Sequence, residues 1–241
     1  MTDPGLVDGI HANLAAVRAR IARAAARSSR PASDVRLVAI SKTFGPDHVR
    51  AAHAAGQREF GENRVQEALE KQAALSDLDL AWHLVGHLQS NKARKAVGPF
   101  TLIHSVDSRD LLRRLDAVAG EEARVVEVLV QVDLAGEATK FGAPLDELAA
   151  LVEAAAGCRW ARMAGLMLLP PYFDDPERAR PFFQRLRGLR DDLRSRGTPP
   201  GCLRELSMGM SHDFEVAIEE GATIVRVGTA VFGTRPAAQT A

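Results

Sequence analysis

The residue of this 241-residue chain that is best suited to covalent chemistry is Lys42. It comes directly after the short apolar segment VRLVAIS (35–41), whose β-branched residues and flanking turn residues are typical of a buried strand. A lysine amine at the partly desolvated end of such a strand can lose its proton and attack a carbonyl carbon. The pattern predicts Schiff-base chemistry at Lys42, although a solvent-reaching or ion-paired lysine would leave the same signature.

Two segments near the carboxyl terminus have the composition of phosphate-binding loops. SMGMS (207–211), which includes Ser207 and Met208, leads into a predicted helix that begins near His212. RVGT (226–229) offers Gly228, where the main chain can approach a ligand, and the hydroxyl of Thr229. Hydroxyls and main-chain N–H groups at a helix start favour an anion. Simple turn formation by these glycines and serines is the alternative.

A phosphorylated aldehyde would engage Lys42 through its carbonyl and the two loops through its phosphate. Pyridoxal 5′-phosphate is such a compound. Arg226 would then point toward the pyridine nitrogen, and a permanent cation there disfavours ring protonation, which makes the ring a weaker electron sink. An ion pair inside the sheet with Glu62 or Asp133 is an equally acceptable role for this arginine.

The elements that must position these residues alternate regularly between strand and helix. Short apolar segments occur at 35–41, 58–61, 81–85, 100–105, 123–132, 159–168, 203–208 and 222–228, and amphipathic stretches separate them. Eight strand–helix units predict a single (β/α)8 TIM barrel, in which functional residues collect at the carboxyl ends of the strands. An open doubly wound sheet is less favoured, because no G-x-G-x-x-G follows the first strand.

The predicted organisation is an N-terminal helix within residues 1–30, a barrel over 31–235 and a flexible tail over 236–241. The apolar residues of the helix recur every three or four positions and should face the barrel; they are Leu6, Ile10, Leu14, Val17 and Ile21.

Composition argues against several classes of function. The 31 basic and 31 acidic residues cancel, so no global field favours nucleic acid or a membrane surface. The basic run 92–95 is typical of a solvated helix face. Cys158 and Cys202 lack metal-site spacing and suggest reduced thiols, and the first residues lack a signal-peptide pattern. We expect a cytoplasmic protein without a metal site.

Several motifs taken together resemble one family. RLVAISKTF, GQREFGENRVQEALEK, WHLVGHLQSNKARKAV, VLVQVDLAGEATKFG, MAGLMLLPP and RELSMGMSHDFEVAIEEGATIVRVGTAVFG are similar, in order, to motifs of the pyridoxal phosphate homeostasis proteins. The resemblance implies a barrel like the N-terminal domain of alanine racemase and an aldimine of pyridoxal phosphate on Lys42. It also implies cofactor contacts for a set of further residues: Asn63, Ser207, Met208, Gly228 and Thr229 beside the cofactor or its phosphate, Arg226 at the pyridine nitrogen, and His83 and Met167 near the ring.

The resemblance implies a carrier rather than an enzyme. Alanine racemases add a C-terminal β domain whose tyrosine is the second base, whereas Tyr172 is the only tyrosine here and is expected to pack within its loop. We therefore expect a monomer that stores, buffers or delivers pyridoxal phosphate to apo-enzymes and has no catalytic residue. A racemase of low activity and a Schiff-base aldolase using Lys42 stay open as alternatives.

Overall fold

The computed structural model describes residues 3–136 and 141–234, and its central feature is a closed barrel of eight parallel strands. The strands are Arg36–Ile40 (β1), Glu59–Glu62 (β2), Ala81–Leu84 (β3), Leu102–Val106 (β4), Val126–Val132 (β5), Ala161–Leu168 (β6), Glu205–Met210 (β7) and Ile224–Val227 (β8). Each strand pairs with its neighbours in chain order, and β8 closes on β1 with Val38 opposite Arg226. The predicted (β/α)8 barrel is confirmed.

Helices connect the strands and surround the barrel. The described α-helices are Pro4–Arg27 (α1), Pro46–Ala54 (α2), Val65–Ala74 (α3), Ala93–Ala96 (α4), Arg109–Glu121 (α5), Leu145–Ala156 (α6), Arg180–Ser195 (α7), Phe214–Glu219 (α8) and Thr229–Phe232 (α9). The segment 90–97, predicted as one helix, is a 3-10 turn over Ser90–Lys92 followed by the single turn of α4. The helix expected near His212 begins at Phe214.

The N-terminal helix α1 is one extra layer outside the barrel. Asp3 caps it by accepting a hydrogen bond from the Gly5 main-chain N–H at 3.0 Å, and Pro4 occupies its first turn. Its buried face consists of Ile10, Leu14, Val17, Ile21, Ala24 and Ala25, and it packs against α2, α8 and α9. Leu6, in the first turn, is only partly buried but also packs against this core.

The apolar core has two layers. The larger layer fills the space between strands and helices. The smaller one lies inside the barrel and comprises Val38, Ile40, Val85, Leu102, Leu129, Ala164, Met167 and Ile224. Inward-facing side chains therefore close the centre of the barrel, so that a ligand can enter only at an end.

The proposed division into 1–30, 31–235 and 236–241 stays a prediction, and residues 235–241 lie outside the described part of the chain. Within the described ranges, no helix combines the length and the apolar character that a membrane span requires.

Candidate functional site

A cavity of about 390 Å³ opens at the carboxyl end of the barrel. Its lining includes the predicted site residues Lys42, Asn63, Arg226, Gly228 and Thr229. It also includes Ile40, Val85 and Leu169, which the sequence did not single out, together with Tyr172, His212, and Met210 and Ser211 of the SMGMS segment. A mostly apolar concavity with a few convergent polar groups, at this end of a barrel, is where a small-molecule site is expected.

Lys42 stands at the end of β1 and is partly buried. The residue before it, Ser41, is fully buried and donates a hydrogen bond from its hydroxyl to Glu62 Oε1 at 2.6 Å. The residue after it, Thr43, adopts a left-handed backbone conformation with φ 71° and donates its N–H to Glu67 at 2.8 Å. The main chain is thus held on both sides of the lysine.

Lys71 ties these two contacts together. Its Nζ lies in a buried position and donates to the Ser41 carbonyl at 2.7 Å, to Glu62 at 2.7 Å and to Glu67 at 2.9 Å. Burial raises the pKa of Glu62, and the hydrogen bonds from Lys71 and Ser41 oppose that shift. We name Ser41, Glu62, Glu67 and Lys71 the lysine clamp.

The sequence of α3 indicates that Lys71 is buried, although a search for polar residues at the strand ends does not reveal it. In α3, Val65, Ala68 and Lys71 succeed one another at intervals of three and all are buried. A lysine on the apolar stripe of a helix must find buried partners, and Glu67 precedes it by four residues. On the sequence alone, Glu62 is a possible ion-pair partner of Arg226. In the structure it pairs with Lys71 instead.

The loops after β7 and β8 form a second wall of the cavity, beside the end of β1. Ser211 Oγ accepts hydrogen bonds from the main-chain N–H of Gly228 at 3.1 Å and of Ala230 at 3.4 Å. The two loops are therefore joined through one hydroxyl that lines the cavity. Main-chain N–H groups and hydroxyls are the donors that hold phosphate groups.

A bulge in β7 orients the loop that follows this strand toward the cavity. The pairing with β8 shifts between Ser207 opposite Ile224 and Met210 opposite Arg226, so that β7 has one extra residue in this stretch. Gly209 has φ 92°, and a Cβ there would lie 2.9 Å from Phe214 Cα. Only glycine fits this bend without strain.

Arg226 lies at the cavity floor and is almost fully buried. Its Nη1 donates to Ser207 Oγ at 2.6 Å and its Nη2 to the Leu168 carbonyl at 2.8 Å. Both partners are neutral. Burial lowers the pKa of Arg226 to about 10, although the nearby charge of Asp213 acts in the opposite direction. The alternative of an ion pair with Asp133 is wrong for the described contacts, since that carboxylate accepts from Ala135 and Gly136 in its own turn.

The other predicted site residues lie outside the cavity lining. Ser207 points into the barrel, where its hydroxyl accepts a hydrogen bond from Arg226, and the serine of the SMGMS segment that lines the cavity is Ser211. Met208 points the other way, into the layer between strands and helices. Met167 and His83 are fully buried inside the barrel. The family resemblance implies cofactor contacts for these four residues. Those contacts stay predictions, and the observed positions of the four side chains do not favour them.

Asn63, the residue after β2, depends on a glycine of the next loop. A Cβ at Gly86 would lie 2.3 Å from the Asn63 carbonyl oxygen, so any side chain there would displace Asn63. The Gly86 carbonyl in turn accepts a hydrogen bond from Ser105 Oγ at 2.7 Å. Asn63 thus reaches the cavity because position 86 has no side chain.

Tyr172 differs from its expected placement. Rather than packing within its loop, the residue is 73% exposed and stands at the cavity mouth, with its ring 5.5 Å from that of His212. Its phenol is therefore open to solvent.

Comparison with known proteins shows the family to which this barrel belongs. The family model of the alanine racemase N-terminal domain matches residues 12–236. A pyridoxal phosphate homeostasis protein of Aquifex aeolicus is 45% identical over 222 residues, which are 92% of this chain and 96% of that protein.

Solved structures extend the comparison. PipY of Synechococcus elongatus, solved with pyridoxal phosphate bound, is 44% identical with a TM-score of 0.83, and the match covers 93% of this chain and all of that one. Alanine racemase of Corynebacterium glutamicum shares the fold, with a TM-score of 0.71 at 18% identity over 98% of this chain and 64% of its own. This chain belongs to the family of pyridoxal phosphate homeostasis proteins, whose barrel is the alanine racemase N-terminal domain.

Proposed function

We propose that this protein binds pyridoxal 5′-phosphate covalently through Lys42 and stores, buffers or delivers it. The observation that carries the proposal is the shared cavity: Lys42, Ser211, Gly228 and Thr229 all line it. A nucleophilic amine and a separate set of anion-binding groups in one cavity suit a molecule with an aldehyde at one point and a phosphate at another. The solved relative with pyridoxal phosphate bound supports the same ligand.

The residues present fit this ligand. The Lys42 amine would condense with the aldehyde carbon, forming a carbon–nitrogen double bond as the carbonyl oxygen leaves in water. Arg226 would face the pyridine nitrogen as a donor and, being cationic, would disfavour its protonation. When bound, pyridoxal phosphate supplies an electron sink, and this arginine would weaken it.

A carrier role is supported by what surrounds the ligand position. In the described part of the chain, the cavity lining contains no aspartate or glutamate, and its ionisable side chains are those of Lys42, Tyr172, His212 and Arg226. His212 Nε2 is 2.9 Å from the Asp174 carbonyl, which restrains its ring. Two-base racemisation needs a second base fixed on the far side of the substrate, and an exposed phenol is poorly fixed.

A racemase of low activity is the second candidate, because Tyr172 does line the cavity mouth. Assays of amino-acid racemisation with wild type and Tyr172→Phe separate the two functions. The carrier function predicts no turnover at ordinary enzymic rates and the same transfer of pyridoxal phosphate to an apo-enzyme for both proteins. Racemisation at such rates, abolished by Tyr172→Phe, would overturn the carrier function.

Delivery requires a recipient, which we propose to be an apo-enzyme that uses pyridoxal phosphate. Mixing the loaded protein with an apo-enzyme, in the presence of a trap for free pyridoxal phosphate, tests direct transfer. Reactivation that survives the trap supports delivery. Reactivation that the trap abolishes would restrict the function to storage and release.

A further inference from the structure

A continuous series of buried polar contacts crosses the barrel interior from the cavity floor toward the other end of the barrel. Arg226 Nη1 donates to Ser207 Oγ at 2.6 Å, and Ser207 Oγ is 2.8 Å from His104 Nδ1. His104 Nε2 is 2.9 Å from His83 Nδ1. His83 Nε2 is 3.3 Å from Glu59 Oε2, at the first residue of β2. The contacts thus join strands β8, β7, β4, β3 and β2.

The Arg226 end sets the direction of these hydrogen bonds. A guanidinium has donors and no acceptor, so Ser207 Oγ must accept from it. If the serine hydroxyl then donates onward, His104 Nδ1 is the acceptor, and the proton of neutral His104 lies on Nε2. His104 Nε2–H then donates to His83 Nδ1.

The Glu59 end sets the same direction independently. Arg36 donates to Glu59 from Nε at 3.1 Å and from Nη2 at 2.8 Å. Burial by itself would raise the pKa of Glu59, but interactions with His83 and Arg36 outweigh it and lower the pKa to about 2. His83 Nε2 lies 3.3 Å from Glu59 Oε2 but outside hydrogen-bond geometry, so this last link is a close electrostatic contact. An ionised carboxylate repels a bare nitrogen lone pair, so we expect the proton of neutral His83 on Nε2, with Nδ1 as an acceptor. Both ends therefore favour the Nε2–H tautomer of both histidines.

Neutral histidines are also what their environment favours. His83 and His104 are both fully buried. Burial lowers the pKa of His83 and holds the pKa of His104 well below its usual range, with the charge of Arg226 acting in the same direction on His104. Two neutral rings with fixed tautomers can link the Arg226 cation, through Ser207, to the side of the barrel where Glu59 lies.

From this geometry we infer that Ser207, His104 and His83 form a one-way hydrogen-bond relay that positions the Arg226 guanidinium and ends in a close contact with the Glu59 carboxylate. The hydrogen-bond partners of Arg226 are neutral, whereas a buried cation requires compensation, which the nearby charge of Asp213 and the Glu59 end of the relay supply. A group that donates a hydrogen bond becomes a better acceptor for the hydrogen bond it receives, so the bonds in the relay strengthen one another. Glu59 is the anionic end. These are positioning residues, because the cavity lining contains Arg226 alone of the series.

The role toward pyridoxal phosphate rests on the proposed function. With Arg226 facing the pyridine nitrogen, the relay keeps the guanidinium oriented and cationic at that atom. Ser207 and His83, which the motifs placed beside the cofactor, would then act on it through Arg226. The relay itself can be tested in the protein without cofactor.

The direct test is the tautomer of each histidine in cofactor-free protein. Long-range ¹H–¹⁵N correlation spectra of uniformly labelled protein near pH 7, assigned with His83→Gln and His104→Gln, distinguish the Nε2–H, Nδ1–H and doubly protonated forms. The relay requires Nε2–H for both residues. An Nδ1–H tautomer or an imidazolium at either position would overturn it.

A second test uses two carboxylates at the amino end of the barrel. Glu59→Gln keeps an acceptor for His83 but removes the anionic end of the relay; Glu127→Gln removes a carboxylate that pairs with Arg204 outside the relay. In loaded protein we expect Glu59→Gln to lower the pH midpoint of the bound cofactor's visible band by about 0.5 unit, because a lost negative charge disfavours the protonated form. Equal shifts in the two variants, or none in Glu59→Gln, would contradict the relay.

A third test breaks the relay at its middle. His104→Leu has no acceptor for Ser207, whereas His104→Gln retains one acceptor and one donor. Dissociation of pyridoxal phosphate is expected to accelerate about tenfold in His104→Leu and to stay within about twofold of wild type in His104→Gln. Equal rates in the two variants would refute the relay. If instead Lys42 carries no cofactor at all, the proposed function fails, while the tautomer spectra still decide the relay.

Discussion

The two walls of the cavity are built from different kinds of interaction. The wall that carries Lys42 is fixed by the lysine clamp, in which one buried ammonium group bonds to two carboxylates and a carbonyl. The wall formed by the loops after β7 and β8 is fixed by main-chain geometry, a bulge at Gly209 and the hydroxyl of Ser211. A covalent attachment point gains from a stiff support, whereas an anion site must leave donors near its surface.

The largest effect should come from breaking the clamp with Lys71→Met. Glu62 is fully buried, so losing its cation leaves a desolvated carboxylate with Ser41 as its remaining partner. We expect the free energy of unfolding to fall by about 3–5 kcal/mol in urea titrations. The double variant Lys71→Met, Glu62→Gln should recover most of that loss. A single variant as stable as wild type would show that the clamp does not support this wall.

The second largest effect should come from Gly209→Ala on the second wall. The left-handed conformation and the close approach to Phe214 and Ala217 predict a loss of about 2 kcal/mol in unfolding free energy and weaker binding of pyridoxal phosphate. Gly188→Ala is the matched control, because Gly188 lies in α7, where an added methyl group would have no neighbouring atom within 4 Å. The control should be neutral or stabilised by up to about 1 kcal/mol. Similar losses in both variants would contradict a special role for the bulge.

A smaller effect, confined to binding, is expected for Ser211→Ala. The change removes one hydroxyl from the anion wall and should raise the dissociation constant of pyridoxal phosphate about tenfold, with a change in unfolding free energy below about 1 kcal/mol. The control is Ser195→Ala, because the Ser195 hydroxyl donates to the Asp192 carbonyl on the protein surface. This variant should bind pyridoxal phosphate with wild-type affinity. Unchanged affinity in Ser211→Ala would place the phosphate elsewhere.

The smallest effect is expected from charge reversal beside the cavity. Lys92 and Lys95 are exposed and line a neighbouring cavity of about 330 Å³ that shares Asn63 with the first. Lys92→Glu, Lys95→Glu should slow transfer to an apo-enzyme about threefold at low salt, without changing the affinity for pyridoxal phosphate. Arg113→Glu, on the exposed face of α5, should transfer at the wild-type rate. Equal slowing by both would indicate a general charge effect.

The sequence predicts the barrel well because each strand is marked by a short apolar run between amphipathic stretches. The strand ends also place Lys42, Asn63, Arg226, Gly228 and Thr229 at one end of the barrel, and all five line the cavity. This follows from topology alone, since parallel strands direct their carboxyl ends to the same side.

The residues missed or misplaced depend on tertiary geometry. Simple alternation in β7 gives no reason to expect a register shift, but the shift at Gly209 places Ser211 in the cavity and leaves Ser207 inside the barrel. Likewise, the pairing of His83 with His104 joins residues 21 apart in the chain on neighbouring strands, which no local pattern reveals. Lys71 is the exception, because its spacing from the apolar residues of α3 places it on the buried face of that helix.

The central claim is that the Lys42 amine holds pyridoxal phosphate while the loops after β7 and β8 hold its phosphate. Loaded wild-type protein and Lys42→Ala should be reduced with borohydride, digested and analysed by mass spectrometry, with circular dichroism confirming that both are folded. We predict that the phosphopyridoxyl mass is found on the Lys42 peptide of wild type and that the folded Lys42→Ala variant does not acquire the visible band. Modification of a different lysine, with the Lys42 peptide unmodified, would contradict the account.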